Sequence, residues 1–245
     1  MKKLFIVFEG IDSCGKTTQA ELLKNYLIER KEQTVISPEP SNGIIGNIIR
    51  QALKQKIIFS NTNSHAPEFN SGERVSHSPI IKGIPADKDS SSIQDTALDK
   101  RNLFDEQMAY LFAADRHDHL YNDIDGVYKL IKDNYHVIST RYYFSSLAYN
   151  CDTPEKFAFI QKLNHRFPNP DLTIYIDLPI EVSLSRLQER SLTEIYENKS
   201  KLTKVREQYQ QIFADYQGKA IAIDGTADIQ NIHRQIVDFI NNNFE

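Results

Sequence analysis

The residues whose types and spacing best indicate chemistry stand near the N-terminus. Residues 10–17 read Gly-Ile-Asp-Ser-Cys-Gly-Lys-Thr and match the Gly-x-x-x-x-Gly-Lys-Ser/Thr pattern. Its glycines let the backbone curl, so that successive N–H groups point inward at phosphate oxygens. Lys16 can reach the β- and γ-phosphates, and the Thr17 hydroxyl can bind Mg²⁺. The segment therefore predicts a site for a nucleoside triphosphate; the alternative is a chance turn between a strand and a helix.

The segments on either side of this loop are those that such a site requires. Residues 4–8 are an apolar run typical of a strand buried on both faces, and apolar residues recur at helical spacing over 16–32. The alternation of short strands with amphipathic helices along the rest of the chain predicts an α/β protein. We expect the P-loop NTPase fold, with a five-stranded parallel sheet flanked by helices. The other predicted strands are 33–37, 136–139, 171–177 and 220–223, and the other predicted helices are 44–56, 96–120, 124–133, a short one around Leu147, 157–166, 179–190, 203–216 and 229–240.

One segment interrupts this regular pattern. Between residues 60 and 95, 16 of 36 residues are Ser, Asn, Pro or Gly, without a sustained period of either strand or helix. So long a stretch is uncommon inside a compact domain. We interpret 60–95 as a long polar insertion in a single domain that spans 1–245.

The composition excludes several classes of protein. The 245 residues carry 29 Lys and Arg against 33 Asp and Glu, a formal net charge of −4, so no nucleic-acid partner is expected. No apolar run reaches the ~18 residues of a membrane-spanning helix, so no membrane partner is expected either. Cys14 and Cys151 are too few for a disulfide framework or a four-cysteine zinc site. A reducing, cytoplasmic compartment fits this cysteine content best.

Motifs elsewhere in the chain indicate which class of P-loop protein this is. The chain has no Asn-Lys-x-Asp segment, with which a GTPase would read guanine. Asp177 ends a predicted strand and could bind magnesium as in ATPase motors, but nothing around it indicates a motor. A small kinase is the better fit.

The chain resembles the thymidylate kinase family in several motifs that follow one another in the expected order. They cover most of the chain outside 60–95, and together they are far more specific than a P-loop alone. The motifs are Phe-Glu-Gly-Ile-Asp-Ser-Cys-Gly-Lys-Thr-Thr-Gln at 8–19, Glu39-Pro40 with Arg50, Leu-Phe-Ala-Ala-Asp-Arg at 111–116, Arg-Tyr-Tyr-Phe-Ser-Ser-Leu-Ala-Tyr at 141–149, Pro-Asp-Leu-Thr-Ile-Tyr-Ile-Asp at 170–177 followed by Arg186 and Arg190, and Val205-Arg206-x-x-Tyr209.

The resemblance implies a reaction. Members of this family transfer the γ-phosphoryl group of ATP to dTMP with the help of Mg²⁺, and a homodimer with a mobile lid over 186–203 is implied as well. Two alternatives stay open. One is a kinase of the same fold for another nucleoside monophosphate such as dUMP, and the other is a nucleotide-binding pseudokinase with a regulatory role.

The resemblance also implies roles for individual residues. Arg50 and Arg141 correspond to the clamps on the acceptor phosphate, which suits the bidentate geometry of a guanidinium group. Phe112 would stack on the base, and Arg116, one helical turn further, would donate to a thymine carbonyl. Taken alone, Phe112 is better explained as a core residue, and Arg116 as an exposed ion pair with Asp115. Arg190 in the lid is implied as a transition-state arginine, with an exposed helix charge as the equal alternative.

The full set of implied site residues divides into four groups. The acceptor would contact Asp12 (at the sugar 3′-hydroxyl), Glu39, Pro40, Arg50, Phe112, Arg116, Arg141, Ser146 (at the base edge) and Tyr149 (against a 2′-hydroxyl). ATP would contact Gly10, Ile11, Asp12, Ser13, Cys14, Gly15, Lys16, Thr17, Thr18 and Arg186. The catalytic residues would be Lys16, Arg141, Asp12 and Arg190, and the metal ligand Thr17.

The chain departs from the family pattern at two places. An aspartate usually precedes the arginine of the fourth motif, where it helps to hold Mg²⁺, but this chain has Thr140. Magnesium would then depend on Thr17, Glu9 and Asp12. The Gly-Gly that follows Glu-Pro in the family is Ser41-Asn42 here, so we expect a loop of different shape.

Overall fold

A parallel sheet forms the centre of the protein, whose computed structural model describes residues 2–57, 100–150, 153–188 and 199–244. Within these ranges the strand order is β2-β3-β1-β4-β5, and every neighbouring pair is parallel. The α/β fold and all five predicted strands are thereby confirmed. The strands are β1 (Phe5–Glu9), β2 (Thr34–Ile36), β3 (His136–Thr140), β4 (Leu172–Asp177) and β5 (Ala220–Asp224).

The register of the sheet brings the polar ends of three strands to one edge. Phe8 pairs with Thr140 across β1 and β3, and Glu9 pairs with Tyr175 across β1 and β4. The chain runs from β1 toward β2 on one side of the sheet and later toward β5 on the other. A parallel sheet opens a crevice at the carboxyl ends of its strands where the strand order changes direction, and ligands bind there. The loop after β1 leads into this crevice.

Helices flank the sheet, and most begin and end near the predicted positions. The first residues of the helix predicted from 96 lie outside the described ranges, and the helix predicted from 203 is already helical at Lys199, the first residue of its described range. The helices are α1 (Lys16–Glu29), α2 (Ile44–Leu53), α3 (Lys100–Tyr121), α4 (Val127–Lys132), α5 (Tyr143–Tyr149), α6 (Pro154–Asn164), α7 (Ile180–Gln188), α8 (Lys199–Asp215) and α9 (Ile229–Phe244).

Local side-chain chemistry explains where the other helix boundaries differ from the prediction. The helix predicted from residue 124 begins at Val127, because the Asn122 side chain accepts hydrogen bonds from the backbone N–H groups of Ile124 and Asp125 and closes a turn there. The helix predicted from 157 begins at Pro154, because the Thr153 hydroxyl caps its first turn. Such side-chain turns and caps compete with hydrophobic periodicity at helix ends.

Two predicted segments fall largely outside the described residues. The insertion at 60–95 lies entirely outside them, and the lid at 186–203 is described only at 186–188 and 199–203. That 1–245 forms one domain therefore stays a prediction. Among the helices of the described ranges, none has the length and hydrophobicity needed to span a membrane.

Candidate functional site

A cavity of about 300 Å³ opens at the carboxyl edge of the sheet. The loop after β1, the segment before α2, and helices α2, α3 and α5 form its walls. All nine residues implied at the acceptor line it, namely Asp12, Glu39, Pro40, Arg50, Phe112, Arg116, Arg141, Ser146 and Tyr149. Six of the residues implied at ATP also line the cavity, namely Asp12, Ser13, Gly15, Lys16, Thr17 and Thr18.

The glycine-rich loop has the backbone shape that a phosphate cradle requires. Gly10 has a φ of 139°, and a Cβ added there would lie 2.5 Å from the carbonyl oxygen of Ile176, so only glycine fits. The Lys16 ammonium lies inside the loop and donates to the carbonyls of Gly10 and Ile11, at 2.8 Å each. Burial lowers the pKa of Lys16, although Cys14 and Asp12 oppose this shift.

Four of the residues implied at ATP do not line the cavity. Ile11 and Cys14 are buried behind the loop, and Gly10 lies at its base, so these positions offer backbone rather than side chains. Arg186, on α7, lies on the outer side of the loop, where it donates to the carbonyl of Ser13 at 3.1 Å and to that of Gly225 at 3.5 Å. Arg190 lies outside the described residues.

An ion pair joins the loop to the end of β3. The Arg141 guanidinium donates to one carboxylate oxygen of Asp12, and the Tyr149 hydroxyl donates to the other at 3.0 Å. Burial raises the pKa of Asp12, but Arg141 and Lys16 outweigh it, so the pKa lies below its usual value. The Arg141 guanidinium also lies 5.0 Å from the centre of the Tyr149 ring. Asp12, Arg141 and Tyr149 therefore form one cluster between the two halves of the cavity.

Arg116 is buried, which corrects the interpretation of an exposed pair with Asp115. It is 1% exposed and donates to one oxygen of Glu39 through Nε at 3.0 Å and Nη2 at 2.7 Å. Its other contacts are the Asn164 side-chain oxygen and, at 3.3 Å, the Ser146 hydroxyl. Asp115 instead accepts from the backbone N–H of Ser41 at 2.7 Å and from its hydroxyl at 2.6 Å. The pairing fixes Arg116 at the cavity wall.

The segment after β2 supports a second arginine. Arg50, on α2, donates through Nη1 to the backbone carbonyls of Pro40 and Ser41. Ser41, which replaces a family glycine, thus connects α2 to α3 through Asp115. Phe112 is only partly buried and lines the cavity one turn of α3 before Arg116, so it is not confined to the core.

Two acidic residues considered as magnesium ligands are committed to protein donors. Asp177 accepts from Arg206 at 2.7 and 2.9 Å, and it does not line the cavity. Glu9 is fully buried and accepts from the backbone N–H of Tyr142 at 2.7 Å and from the hydroxyls of Ser145 and Tyr209 at 2.8 Å each. Burial raises the pKa of Glu9, while Arg141 opposes the shift. Neither carboxylate is placed to reach a metal ion in the cavity.

The cavity wall also includes residues that were not predicted as contacts. They are Leu53, Thr140, Tyr142, Ser145 and Asn150. Asn150 directly follows α5, and its side-chain oxygen is buried without a hydrogen-bond partner among the described residues. The sequence signal for Ser145 and Asn150 was weak, because both are small polar residues beside more distinctive ones. Thr140 was noticed only as a departure from the family pattern.

A phosphate-binding loop that shares one cavity with three buried or half-buried arginines defines a P-loop nucleotide-binding protein whose cavity has a second half lined by arginines. The family model described as thymidylate kinase matches residues 8–69 and 89–236. The chain belongs to the thymidylate kinase family. The break in the match, at 70–88, lies within the predicted insertion at 60–95.

Named relatives agree with the family match. A putative thymidylate kinase of Treponema pallidum is 31% identical over 95% of this chain and 92% of its own length. A probable thymidylate kinase of Methanococcus aeolicus is 32% identical over 95% of this chain and 93% of its own length. A probable thymidylate kinase of Thermococcus onnurineus is 31% identical over 97% of this chain and 97% of its own length. The similarity therefore extends over nearly the whole of each chain.

Proposed function

We propose that the protein transfers the γ-phosphoryl group of ATP to dTMP and forms dTDP. The observation that carries this proposal is that the phosphate loop and every residue implied at the acceptor meet in one cavity. Phosphoryl transfer depends on alignment and on neutralising negative charge rather than on covalent chemistry by the protein. A single cavity with cations on both sides supplies these two conditions.

The acceptor half-site suits a nucleoside monophosphate with a pyrimidine base. Arg50 and Arg141 line the cavity where a phosphate would lie, and each has a guanidinium fork that suits phosphate oxygens. Phe112 offers an aromatic face for stacking. Arg116 has five N–H groups, of which four make the hydrogen bonds to Glu39, Asn164 and Ser146, so one remains for a base carbonyl.

Asp12 and Tyr149 suit the sugar between base and phosphate. The Asp12 carboxylate can accept a hydrogen bond from a 3′-hydroxyl, and the buried Tyr149 ring restricts the room for a 2′-hydroxyl. The same Asp12 holds Arg141. Sugar and phosphate recognition are therefore linked through one carboxylate, and the preference for deoxyribose follows from the tyrosine.

The donor half-site suits ATP with Mg²⁺. Lys16 can exchange its loop carbonyls for the β- and γ-phosphates, and Arg186 beside the loop would lie near the adenine. Among the described residues no group of three His, Cys, Asp or Glu side chains could hold a metal by itself. This fits Mg²⁺, which binds mainly phosphate oxygens and water when few protein ligands are present. Thr17, exposed at the cavity, would supply the protein oxygen, and the ion would neutralise phosphate charge.

A panel of acceptors tests the proposal. ADP release is measured with dTMP, dUMP, dCMP, dGMP and UMP at saturating ATP and Mg²⁺. We expect the highest kcat/KM with dTMP and little turnover of UMP. Equal values with dUMP would make the protein a kinase of wider range. Binding of ATP without turnover of any acceptor would identify a pseudokinase instead.

The departure at Thr140 allows a second test of the same chemistry. Thr140 lies in the cavity wall beside Arg141 and carries no charge. If a carboxylate at this position helps to hold magnesium, Thr140→Asp raises kcat for dTMP. Thr140→Asn, which adds similar bulk without charge, is the matched control and leaves kcat near the value of the natural protein.

We also propose that the protein acts as a homodimer in the cytoplasm. Tyr110 and Tyr121, both on α3, are about half exposed, and such side chains suit a subunit interface. Two cysteines in 245 residues suit a reducing compartment. Sedimentation equilibrium gives the subunit number directly, and a monomer at micromolar concentration would contradict the first part of the proposal.

A further inference from the structure

The buried carboxylate of Glu9 has no part in the proposed contacts. Glu9 is the last residue of β1 and is fully buried, yet it does not line the cavity. A buried charge is costly unless hydrogen bonds compensate it. Its two oxygens accept three hydrogen bonds, which come from three separate places in the chain. A buried carboxylate with donors from distant segments connects those segments, so the three donors identify what Glu9 connects.

The first donor is the backbone next to Arg141. Arg141 has a φ of 80°, in the left-handed region that is unfavourable for residues with a side chain. Three other described residues with positive φ, Lys31, Gln55 and Asn134, simply follow the ends of helices. Arg141 instead lies at the cavity, and its unfavourable conformation requires support from its surroundings. That support comes from its own N–H, which donates to the Phe8 carbonyl at 2.8 Å, and from the next N–H, which donates to Glu9.

The second and third donors link this turn to two helices. The Ser145 hydroxyl, on α5, donates to Glu9 and accepts from Nη1 of Arg141 at 3.2 Å. The Tyr209 hydroxyl, on α8, donates to the same Glu9 oxygen and lies 2.8 Å from the Ser145 hydroxyl. A continuous series of hydrogen bonds therefore leads from α8 through Glu9 and Ser145 to the guanidinium group of Arg141.

We propose that Glu9, Ser145 and Tyr209 position Arg141, so that α8 determines where its guanidinium group meets the acceptor phosphate. The proposal rests on the role given to Arg141 under the proposed function. Tyr209 does not touch the cavity, so it is a positioning residue. The Tyr209 hydroxyl acts on the reaction through Arg141, whereas the Tyr209 ring, whose centroid is 6.3 Å from that of Tyr149, is retained in a Tyr209→Phe variant.

Tyr209→Phe tests this chain of contacts, with Tyr175→Phe as the matched control. The two tyrosine rings stack, with centroids 5.6 Å apart, but the Tyr175 hydroxyl donates to Asp177 and not to Glu9. Each variant loses one buried hydroxyl, so similar losses of stability are expected. Tyr209→Phe lowers kcat/KM for dTMP about tenfold. This factor corresponds to about 1.4 kcal/mol, which is close to the contribution of one hydrogen bond to a charged group. Tyr175→Phe leaves every hydrogen bond to Glu9 and Arg141 in place, so kcat/KM should change less than about twofold.

A double-mutant cycle shows whether Tyr209 acts through Arg141. In an Arg141→Lys background, Tyr209→Phe should cost less than about twofold, because the group that it positions is gone. A full tenfold cost in that background would overturn the proposal. So would equal effects of Tyr209→Phe and Tyr175→Phe on kcat/KM in the natural protein.

Amide hydrogen exchange tests the network without any turnover. In Glu9→Gln the Tyr142 amide loses a charged acceptor, and its exchange should rise about tenfold relative to the Val137 amide, which donates to the Leu4 carbonyl in the same sheet. Unchanged relative exchange would overturn the positioning role whatever the activity. If exchange rises but dTMP is not a substrate, the network stands and the proposed function fails, so the two failures are distinguishable.

Discussion

Glu39→Ala is the substitution whose effect on stability can be worked out most fully from the structure. The Glu39 carboxylate takes two of the hydrogen bonds of Arg116, and the side chains of the pair are only 2% and 1% exposed. After the substitution the guanidinium keeps only the neutral Asn164 and Ser146 oxygens. Water that enters from the cavity could hydrogen-bond to the guanidinium but would not replace the negative charge. Removing one partner of such a buried pair costs about 3–5 kcal/mol.

Urea unfolding followed by circular dichroism measures this loss, and the slope of the transition should stay unchanged. At roughly 2–4 °C per kcal/mol for a chain of this size, the melting temperature should fall by roughly 6–20 °C. Asp133→Ala is the control, because it removes an ion pair to Lys129 in which both side chains are about 40% exposed. Pairs of that kind contribute only about 0.3–0.5 kcal/mol.

The pairing also predicts that the two positions are not independent. Arg116→Met alone leaves Glu39 buried without its charge partner, whereas the double variant with Glu39→Met removes both charges and restores part of the stability. A loss below about 1 kcal/mol for Glu39→Ala, or strictly additive single losses, would show that Arg116 is solvated and that the buried pair does not stabilise the protein.

Three further outcomes follow from single sites. Burial lowers the pKa of His136 below its usual 6.5, so the folded protein binds fewer protons at this group than the unfolded protein does. The free energy of unfolding that His136 contributes is therefore complete above pH 6.5 and is lost as the pH falls below that value. His136→Asn, which keeps an acceptor for the backbone N–H that bonds to Nδ1, should flatten the pH dependence of the urea midpoint between pH 5 and 7. Gly10→Ala should abolish the binding of ATP measured by calorimetry, and it should lower the melting temperature more than Gly15→Ala does. The reason is that a methyl group at position 10 would meet the backbone carbonyl of Ile176, whereas one at position 15 would meet no atom within 4 Å. Asn150→Ala removes one hydrogen bond, which Nδ2 donates to the Ser146 carbonyl at 3.1 Å, and should cost about 1 kcal/mol of stability. It should also raise KM for dTMP several-fold if the side-chain oxygen, which has no partner among the described residues, meets the acceptor.

The sequence was sufficient to predict the sheet and the phosphate loop, because each depends on a local pattern. An apolar run of five residues such as 4–8, which ends at a glycine-rich loop, is typical of a strand buried on both faces. Gly10 is required because the backbone of Ile176, on β4, lies too close for a side chain. The family resemblance then implied nine residues at the acceptor, and all nine line the same cavity. Local patterns and several ordered motifs thus give the position of the site.

The partners of the site residues could not be predicted in this way. Arg116 is bound by Glu39, which is 77 residues earlier, and by Asn164, which is 48 residues later. Glu9 meets Tyr209 across 200 residues. Nothing in the local spacing of these residues distinguishes such a pairing from an exposed charge, since only the fold brings them together. The same limitation explains why Arg116, taken without the family resemblance, would be interpreted as an exposed pair with Asp115, its neighbour in sequence, whereas Asp115 in fact binds Ser41.

Under the proposed function, the contacts of Arg116 and Arg141 imply different behaviour when nucleotides bind. Arg116 is held by a buried carboxylate, and a ligand that displaced Glu39 would leave that charge buried and unpaired, so Arg116 keeps its place and reads the base through its remaining N–H. Arg141 is 21% exposed, and its partner Asp12 is 18% exposed, so water can solvate that carboxylate when a phosphate takes over the guanidinium. Lys16 likewise gives up only neutral carbonyls to a phosphate. The base side of the cavity is therefore preformed, whereas its phosphate side exchanges internal partners for the charges of the two nucleotides.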